Sequence, residues 1–440
     1  MEQSGFVVGI DLGTSKITGV VGRKNEQGVI TILASEIIPS DSSVKYGVIY
    51  NIDEAAGKIK KLISLLENKI GKKIGKAYVS VAGKSLRAIE HVEVKIQDAK
   101  LPVSFAVLDE MEQKAKQNKP DFFTNYSVLS PEYYLDGQHE EDIIDKPASN
   151  IEVRYRLIVG RPNIKSNLQK TMDKAQIEIA GFIVGPVAAG ALVLDPADRQ
   201  SGCVLVDLGA GTTTVSIYKD GLLRYMSVIP FGGRTITKDI QALGFVYESA
   251  ESYKIRYGKL GKRDKKNNIV NSDVDLRELN KVIQLRSDEI ILNVIHQIKE
   301  SGFADALESG IILTGGASQL NGLPEYFEEK ASMPVRKAGV KRVYINNAAD
   351  LLQNPAYTQS LSLLLFGNEN CEKKEKAPEP EAIPVQNDHE YIREEDKDIE
   401  KPEQKKKEKK KDKEKQPGPL FRLFEKMQNF GGTMFEDEEE

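Results

Sequence analysis

Apolar positions alternate between a strand-like and a helix-like rhythm through most of this chain. Phe6–Ile10, Ile17–Gly22 and Val29–Ile38 are apolar runs separated by turn residues at Gly13 and Gln27-Gly28, which predicts three strands in a meander. Ile52, Ala56, Ile59, Ile63, Leu66 and Ile70 then recur at helical spacing, with Asn51 or Asp53 available as the cap. Ala77–Ala82 returns to a strand. From about Gly83 to Pro162 the pattern predicts short strands at Ala88–Ile96 and Glu152–Val159 and a helix near Leu108–Gln117, a small α/β unit inserted into the larger one. A helix is expected over Asn163–Ala180, Gly185-Pro186 is expected to break it, and Cys203–Val206 opens a second strand series.

The second series repeats the first. Val8-Gly9-Ile10-Asp11-Leu12-Gly13-Thr14-Ser15 and Leu205-Val206-Asp207-Leu208-Gly209-Ala210-Gly211-Thr212 share an apolar strand, an aspartate and a glycine turn, 196 residues apart. Each copy continues into a further strand, Ile17–Gly22 or Thr214–Tyr218, a turn at Gln27-Gly28 or Asp220-Gly221, and another strand. The expected fold class is therefore α/β, built from duplicated α/β cores. Beyond the second copy, Phe231-Gly232-Gly233 leads into a helix over Thr235–Leu243, and the next helix carries Glu251 and Lys254. Ile311-Ile312-Leu313 is a short strand that delivers Thr314-Gly315-Gly316-Ala317-Ser318 onto a following helix.

The alternation stops near residue 367. Asn368–Lys415 is rich in Glu, Lys, Asp and Pro and has almost no apolar clustering, so it reads as a disordered tether. Its last part, Gln404–Lys415, carries eight lysines against three acids. After Gln416-Pro417-Gly418-Pro419 apolar residues return, and Leu420, Leu423, Phe424, Met427 and Phe430 share one helical face with Phe421 at its edge. Such a helix suits the surface of an anionic membrane, with the basic tract before it adding attraction; docking on the protein itself or on a partner is the alternative. Glu436-Asp437-Glu438-Glu439-Glu440 is repelled by anionic lipid and is expected to stay in water.

Length and charge narrow this picture. At 440 residues two to four domains are expected, and 62 Lys plus Arg against 66 Asp plus Glu leave no global drive toward nucleic acid. Cys203 and Cys371 are too few for a disulfide framework or a cysteine-rich zinc site, and Met1–Ile10 lacks the basic region of a secretory signal, so a reducing cytoplasm is the expected compartment. No apolar run approaches the roughly 18 to 20 residues that span a bilayer.

The two glycine turns carry the candidate chemistry. An aspartate at the tip of a strand, followed by a turn that bares backbone N–H groups, makes a nest for phosphate without a Walker sequence. Gly13, Thr14, Ser15 and Lys16 form one clamp, and Gly209, Gly211, Thr212 and Thr213 the other. Facing each other, they would set Asp11 and Asp207 on either side of a phosphate chain, where carboxylates hold the water shell of Mg2+. Gly315, Gly316 and Ser318 would let a base or ribose approach the backbone, with Gly232 and Gly233 beside them. Glu251 and Lys254, on one helical face, either reach a ribose hydroxyl or a base or form a surface ion pair. No residue marks itself as a catalytic base.

These three elements, in this order and spacing, resemble the two phosphate motifs and the adenosine motif of the actin, DnaK-type chaperone and sugar-kinase superfamily. That resemblance implies two lobes closing on ATP and Mg2+. Gly232-Gly233-Arg234-Thr235-Ile236-Thr237-Lys238-Asp239-Ile240, then Ala250-Glu251-Ser252-Tyr253-Lys254 and Tyr257-Gly258, resemble the FtsA family of cell-division proteins, over nearly the whole chain. Tyr133-Tyr134-Leu135-Asp136-Gly137 fits the end of a strand in that family's inserted subdomain, whereas Ser362 stands where its Tyr-x-x-x-x-Gly-Leu-Leu helix has glycine.

The resemblance implies a first-lobe core at 1–83 and 163–200, an inserted subdomain called 1C at 84–162, and a second-lobe core at 201–234 and 303–367. An outer second-lobe subdomain at 235–302, a linker at 368–418, a membrane-targeting helix at 419–435 and an acidic tail at 436–440 complete it. The implied function is an actin-like, ATP-binding protein, with slow ATP hydrolysis left open, that polymerises with itself and ties the FtsZ ring to the cytoplasmic face of the membrane at the division site. It also implies recruitment of later division proteins and capture of the FtsZ C-terminal peptide on the outer second-lobe subdomain. Arg286 and Glu289 match the family's Arg-x-x-Glu there, and Lys254, Arg256, Lys259, Lys262, Arg263, Lys265 and Lys266 make the stretch before them basic, which suits an acidic peptide or equally a solvated loop. The competing readings are a membrane-linked filament protein of the MreB or PilM type, a small-molecule kinase, and a chaperone. The last needs a folded substrate domain after residue 367, which the tether does not supply.

Overall fold

The computed structural model describes residues 5–261, 274–340 and 343–373. The tether from 374 onward, the Leu420–Phe430 helix, the acidic tail, and Lys262, Arg263, Lys265 and Lys266 lie outside the described residues.

Strands β1 (Val7–Leu12), β2 (Lys16–Lys24) and β3 (Ile30–Pro39) form the expected antiparallel meander. A small hairpin follows, β4 (Val44–Lys45) and β5 (Val48–Ile49). Helix α1 (Ile52–Ile70) is capped by Asn51, whose side chain accepts from the Glu54 N–H, and ends at Gly71 in the left-handed region. Its Ile59, Leu62 and Leu66 are fully buried, and β6 (Lys76–Val81) then runs parallel to β1.

The insertion is a subdomain with a core of its own. Strands β7 (Arg87–Ile96), β8 (Thr124–Leu135), β9 (Gln138–Glu140) and β10 (Asn150–Gly160) make an antiparallel sheet in the order β7-β10-β8-β9. Helix α2 (Phe105–Gln117) contributes Met111 and Ala115 to a core with Ile151, Val153 and Leu157.

Two expectations are corrected next. Helix α3 (Asn163–Ala175) stops short of Ala180, because Gln176 turns left-handed and β11 (Glu178–Val184) pairs in parallel with β6. The apolar Ile179 and Ile183 serve a strand whose partner lies about a hundred residues earlier. Gly185-Pro186 begins α4 (Gly185–Val193), since proline's missing N–H costs nothing in a first turn.

After α5 (Pro196–Ser201), the second copy is built from β12 (Cys203–Leu208), β13 (Thr213–Lys219) and β14 (Leu222–Ile229). Helices α6 (Gly233–Gln241), α7 (Tyr247–Tyr257) and α8 (Leu276–Glu300) form its outer part. Strand β15 (Ile311–Thr314), α9 (Leu323–Ala331) and β16 (Val335–Lys337) complete its sheet, in the order β14-β13-β12-β15-β16. Strand β17 (Ile345–Asn346) returns to the first sheet, whose order is β11-β6-β1-β2-β3-β17; α10 (Ala349–Gln353) and α11 (Thr358–Phe366) follow. In both sheets a meander is extended by a strand parallel to its first member, β6 beside β1 and β15 beside β12. Ser362, in α11, is buried, its hydroxyl donating to the Gln359 carbonyl at 2.7 Å.

The insertion also touches the second copy. Glu132 of β8 pairs with Arg224 of β14 at 2.6 Å, the two side chains 12 % and 11 % exposed. The start expected for the tether is corrected as well, because Asn368–Lys373 packs on the first sheet. Cys371 is fully buried, donates its N–H to the Phe6 carbonyl at 2.8 Å and accepts from Gly75 at 2.9 Å.

Candidate functional site

Both glycine turns open on one cleft of about 370 Å3 between the duplicated sheets. Asp11 ends the central part of β1 and Lys16 begins β2 on the other side of the turn. Any side chain at Gly13 would crowd the Lys16 carbonyl, 2.9 Å from an added Cβ. In the second turn the Gly209 N–H donates to the Thr212 carbonyl at 2.9 Å. The tips of the two turns meet: an added Cβ at Gly211 would stand 2.7 Å from the Thr14 hydroxyl, and Arg234 donates to the Thr14 carbonyl at 2.9 Å.

Electrostatics single out three residues here. Burial pushes the Asp11 carboxyl up to about 6; the Asp207 charge adds to this, while Ser80 and Lys16 pull the other way. Burial also raises Asp207 above the usual carboxylate range, opposed by Gln359, which donates to it at 2.7 Å, and by Lys16. Lys16 is lowered by burial and supported by both aspartates. One ammonium therefore stands against two half-buried carboxylates, which leaves a net negative charge when both are ionised.

The structure brings Asp11, Gly13, Thr14, Ser15, Lys16, Asp207, Gly209, Gly211, Thr212, Gly233, Glu251, Lys254, Gly315 and Gly316 to this cleft. Three other candidates stand behind it. Strand alternation turns Thr213 away, its hydroxyl donating to the Phe231 carbonyl at 2.9 Å, and presents Thr214 instead. Ser318 is buried and bonds the Gly315 carbonyl at 2.7 Å, and Gly232 packs on the Gly209 and Ala210 carbonyls.

The two glycines of the third element differ in role. Gly315 has φ 84°, and an added Cβ would collide with the Asp207 carboxylate and the Leu208 carbonyl, so its bareness serves the fold. Gly316 faces the cleft, with only the Lys16 ammonium within 4 Å, at 3.8 Å from an added Cβ. Lys254 corrects its expected role in part. It donates to Glu251 at 2.7 Å, to Thr237 at 2.8 Å and to the Gly233 carbonyl at 3.0 Å, which matches all three N–H bonds of an ammonium. It thus ties α7 to α6, and burial lowers its pKa. Glu251, which also accepts from the Thr237 hydroxyl, is the member of the pair left to receive a ligand hydroxyl.

Sequence reasoning missed Gln359 and Arg234. Gln359 comes from α11, 152 residues beyond Asp207. Arg234 stood inside the quoted Gly-Gly-Arg motif, and its Nε is buried in the cleft wall with no partner among the described residues. Farther out, Arg286 makes a two-pronged pair with Asp239, at 2.5 and 3.1 Å, and also bonds Glu289, so both residues of the Arg-x-x-Glu are already engaged within the subdomain. Among the described residues no helix is long and apolar enough to cross a membrane, and none gathers three or more His, Cys, Asp or Glu as a metal cluster.

Two related sheets meeting at a cleft of paired aspartate–glycine turns define an actin-like fold, and the solved structure of a PilM-PilN type IV pilus biogenesis complex shares it, with a TM-score of 0.59 and 15% identity over 82% of this chain and 97% of that one. The family described as "Cell division protein FtsA" matches residues 204–362. The FtsA of Pseudomonas aeruginosa is 30% identical over 381 residues, 83% of this chain and 90% of the relative, and that of Neisseria meningitidis is 28% identical over 404 residues, 88% and 95% of the two. The chain belongs to the FtsA family of cell-division proteins.

Proposed function

We propose that the cleft binds ATP with Mg2+ and that the chain polymerises and ties the FtsZ ring to the cytoplasmic face of the membrane. The observation that carries the nucleotide reading is Arg234, whose buried Nε has no partner among the described residues, beside Lys16 and the two glycine turns that line the cleft. A polyphosphate supplies the acceptors those donors need. Asp11 and Asp207 suit Mg2+ held through its waters, and bound Mg2+ would neutralise phosphate charge. Glu251 would accept from a ribose hydroxyl, and Gly316 would give a base room. Gly13, Thr14, Ser15, Gly209, Gly211 and Thr212 would cradle the phosphates.

Membrane attachment rests on the apolar face Leu420, Phe421, Leu423, Phe424, Met427 and Phe430, the basic tract before it and the kinship with FtsA proteins. Capture of the FtsZ C-terminal peptide near Arg286 would require that acidic peptide to compete with Asp239 and Glu289. Later division proteins would dock on the inserted subdomain. The deciding experiment is reconstitution: full-length protein with ATP should form filaments on anionic vesicles and recruit FtsZ to them. Vesicle binding without filaments or without FtsZ would overturn the proposal.

A further inference from the structure

A second cavity, of about 710 Å3, opens where the first-lobe core, the insertion and β14 meet. Its walls are the β4–β5 hairpin, the entry to β7, Phe123, the start of α3, and Ser227 and Val228 of β14. Four cations line it, Lys45, Lys84, Arg87 and Arg161, and no aspartate or glutamate does. Among the described residues none of the four forms an ion pair with a carboxylate. Three instead lie against rings: Lys45 is 3.4 Å from the Tyr50 centroid, Lys84 is 5.0 Å from that of Tyr46, and Arg87 is 4.3 Å from that of Phe123. Helix α3 adds its positive end, with no acidic residue in its first turn and no side-chain cap.

Four like charges around one concavity repel one another, and rings stabilise them far less than an anion would. Aromatic faces beside cations also suit a flat ring that carries its own negative charge. We propose that this cavity binds a phosphate-bearing planar molecule, its phosphate among Lys84, Arg87 and Arg161 and its ring on the tyrosines. Its volume falls within the range of small-molecule sites.

The cavity shares a wall with the first cleft. Tyr46, at φ 52°, and Gly47, at φ 73°, form the β4–β5 turn; Tyr46 faces the second cavity, whereas Gly47 lines the first and donates to the Thr14 hydroxyl at 3.0 Å. Gly83 and Lys84 divide in the same way, and Val228 borders both. A tyrosine held left-handed is strained. A ligand pressing on Tyr46 therefore bears on the turn that fastens Thr14. This coupling rests on the nucleotide reading of the first cleft; the second site does not.

The test is calorimetric titration of the full-length protein with phenyl phosphate and with inorganic phosphate. Phenyl phosphate should bind once per chain, more tightly than inorganic phosphate, and Lys84→Gln or Arg161→Gln should weaken it roughly tenfold. Both residues are exposed, so the fold survives, which a thermal scan verifies. Lys60→Gln, on the exposed face of α1 and away from both cavities, should leave the affinity unchanged. No saturation at millimolar phenyl phosphate, equal affinity in the Lys84 and Arg161 variants, or an equal loss in Lys60→Gln would each overturn the proposal. Competition by phosphoinositide vesicles, measured with Phe424→Glu to remove the tail's own attachment, would assign the phosphate to a lipid headgroup; absence of competition would assign it to a soluble molecule. Displacement by an acidic peptide that binds more tightly than phenyl phosphate would replace the proposal with a protein-docking site.

Discussion

Asp11 is where single-residue chemistry is most exposed to test. Its carboxyl stands near 6 against an ordinary 3.8, so its contribution to the stability of the nucleotide-free fold is full below about pH 4 and is lost as pH rises through about 6. Mg2+ needs the ionised form, so Mg-ATP affinity should change in the opposite sense, strengthening as pH rises through the same window. Asp11→Asn should weaken Mg-ATP binding at least tenfold, remove this pH dependence, and stabilise the nucleotide-free protein by about 2 kcal/mol, read by fluorescence titration and denaturant unfolding. Undiminished binding in the variant would rule out the Mg2+ role. The neighbouring glycines separate fold from site. Gly315→Val should lower the melting temperature sharply, because its side chain would strike Asp207 and the Leu208 carbonyl, whereas Gly316→Val should melt as wild type does and lose nucleotide affinity. Parallel melting and binding curves on the two variants check this.

Among the elements, the insertion is held at both its ends and its middle. Leu86 and Ile158 belong to the first-lobe core, and Glu132 is clasped by Arg224. The clasp is asymmetric, since Arg224 also bonds Asp220 and the Lys219 carbonyl while Glu132 has no second cation among the described residues. Arg224→Ala should therefore cost about 3 kcal/mol, because it leaves a carboxylate buried and unpaired, and Glu132→Gln only about 1 kcal/mol. Urea unfolding of the two single variants measures the difference; equal losses would mean that the pair is solvated. Excising Lys84–Pro162 would take Leu86 and Ile158 with it, so nucleotide binding should survive a deletion kept within Ile89–Leu157 better than the full one.

At the scale of the whole molecule, attachment and assembly should be linked. Leu420, Leu423, Phe424, Met427 and Phe430 would each contribute about 1.5 to 3 kcal/mol when buried in favourable cases, before the cost of ordering the helix, so one tail binds weakly. Tails along one filament would act at high effective concentration, and their affinities would compound. In vesicle sedimentation, Phe424→Glu and a truncation after Lys415 should both lose binding, and the wild type should bind more weakly when polymerisation is blocked. If the truncated protein still pellets, the anchor lies elsewhere.

Local patterning was enough for the repeated strand–aspartate–glycine turns and for α1 with its Asn51 cap, because short-range periodicity and turn chemistry dictate them. Pairings between distant segments were invisible to it. Ile177–Ala180 reads as the end of a helix until β6 offers a parallel edge, and Cys371 looks like part of a polar tether until Phe6 and Gly75 receive it. At the site, residue types placed Asp11, Lys16 and Asp207, whereas only tertiary structure brought Gln359 onto Asp207 and Arg234 across to Thr14. It also used up the Lys254 donors and set Gly315 against a carboxylate rather than a ligand. A motif fixes which groups can interact; burial and long-range packing fix which of their hydrogen bonds are already made, and hence which remain for a ligand.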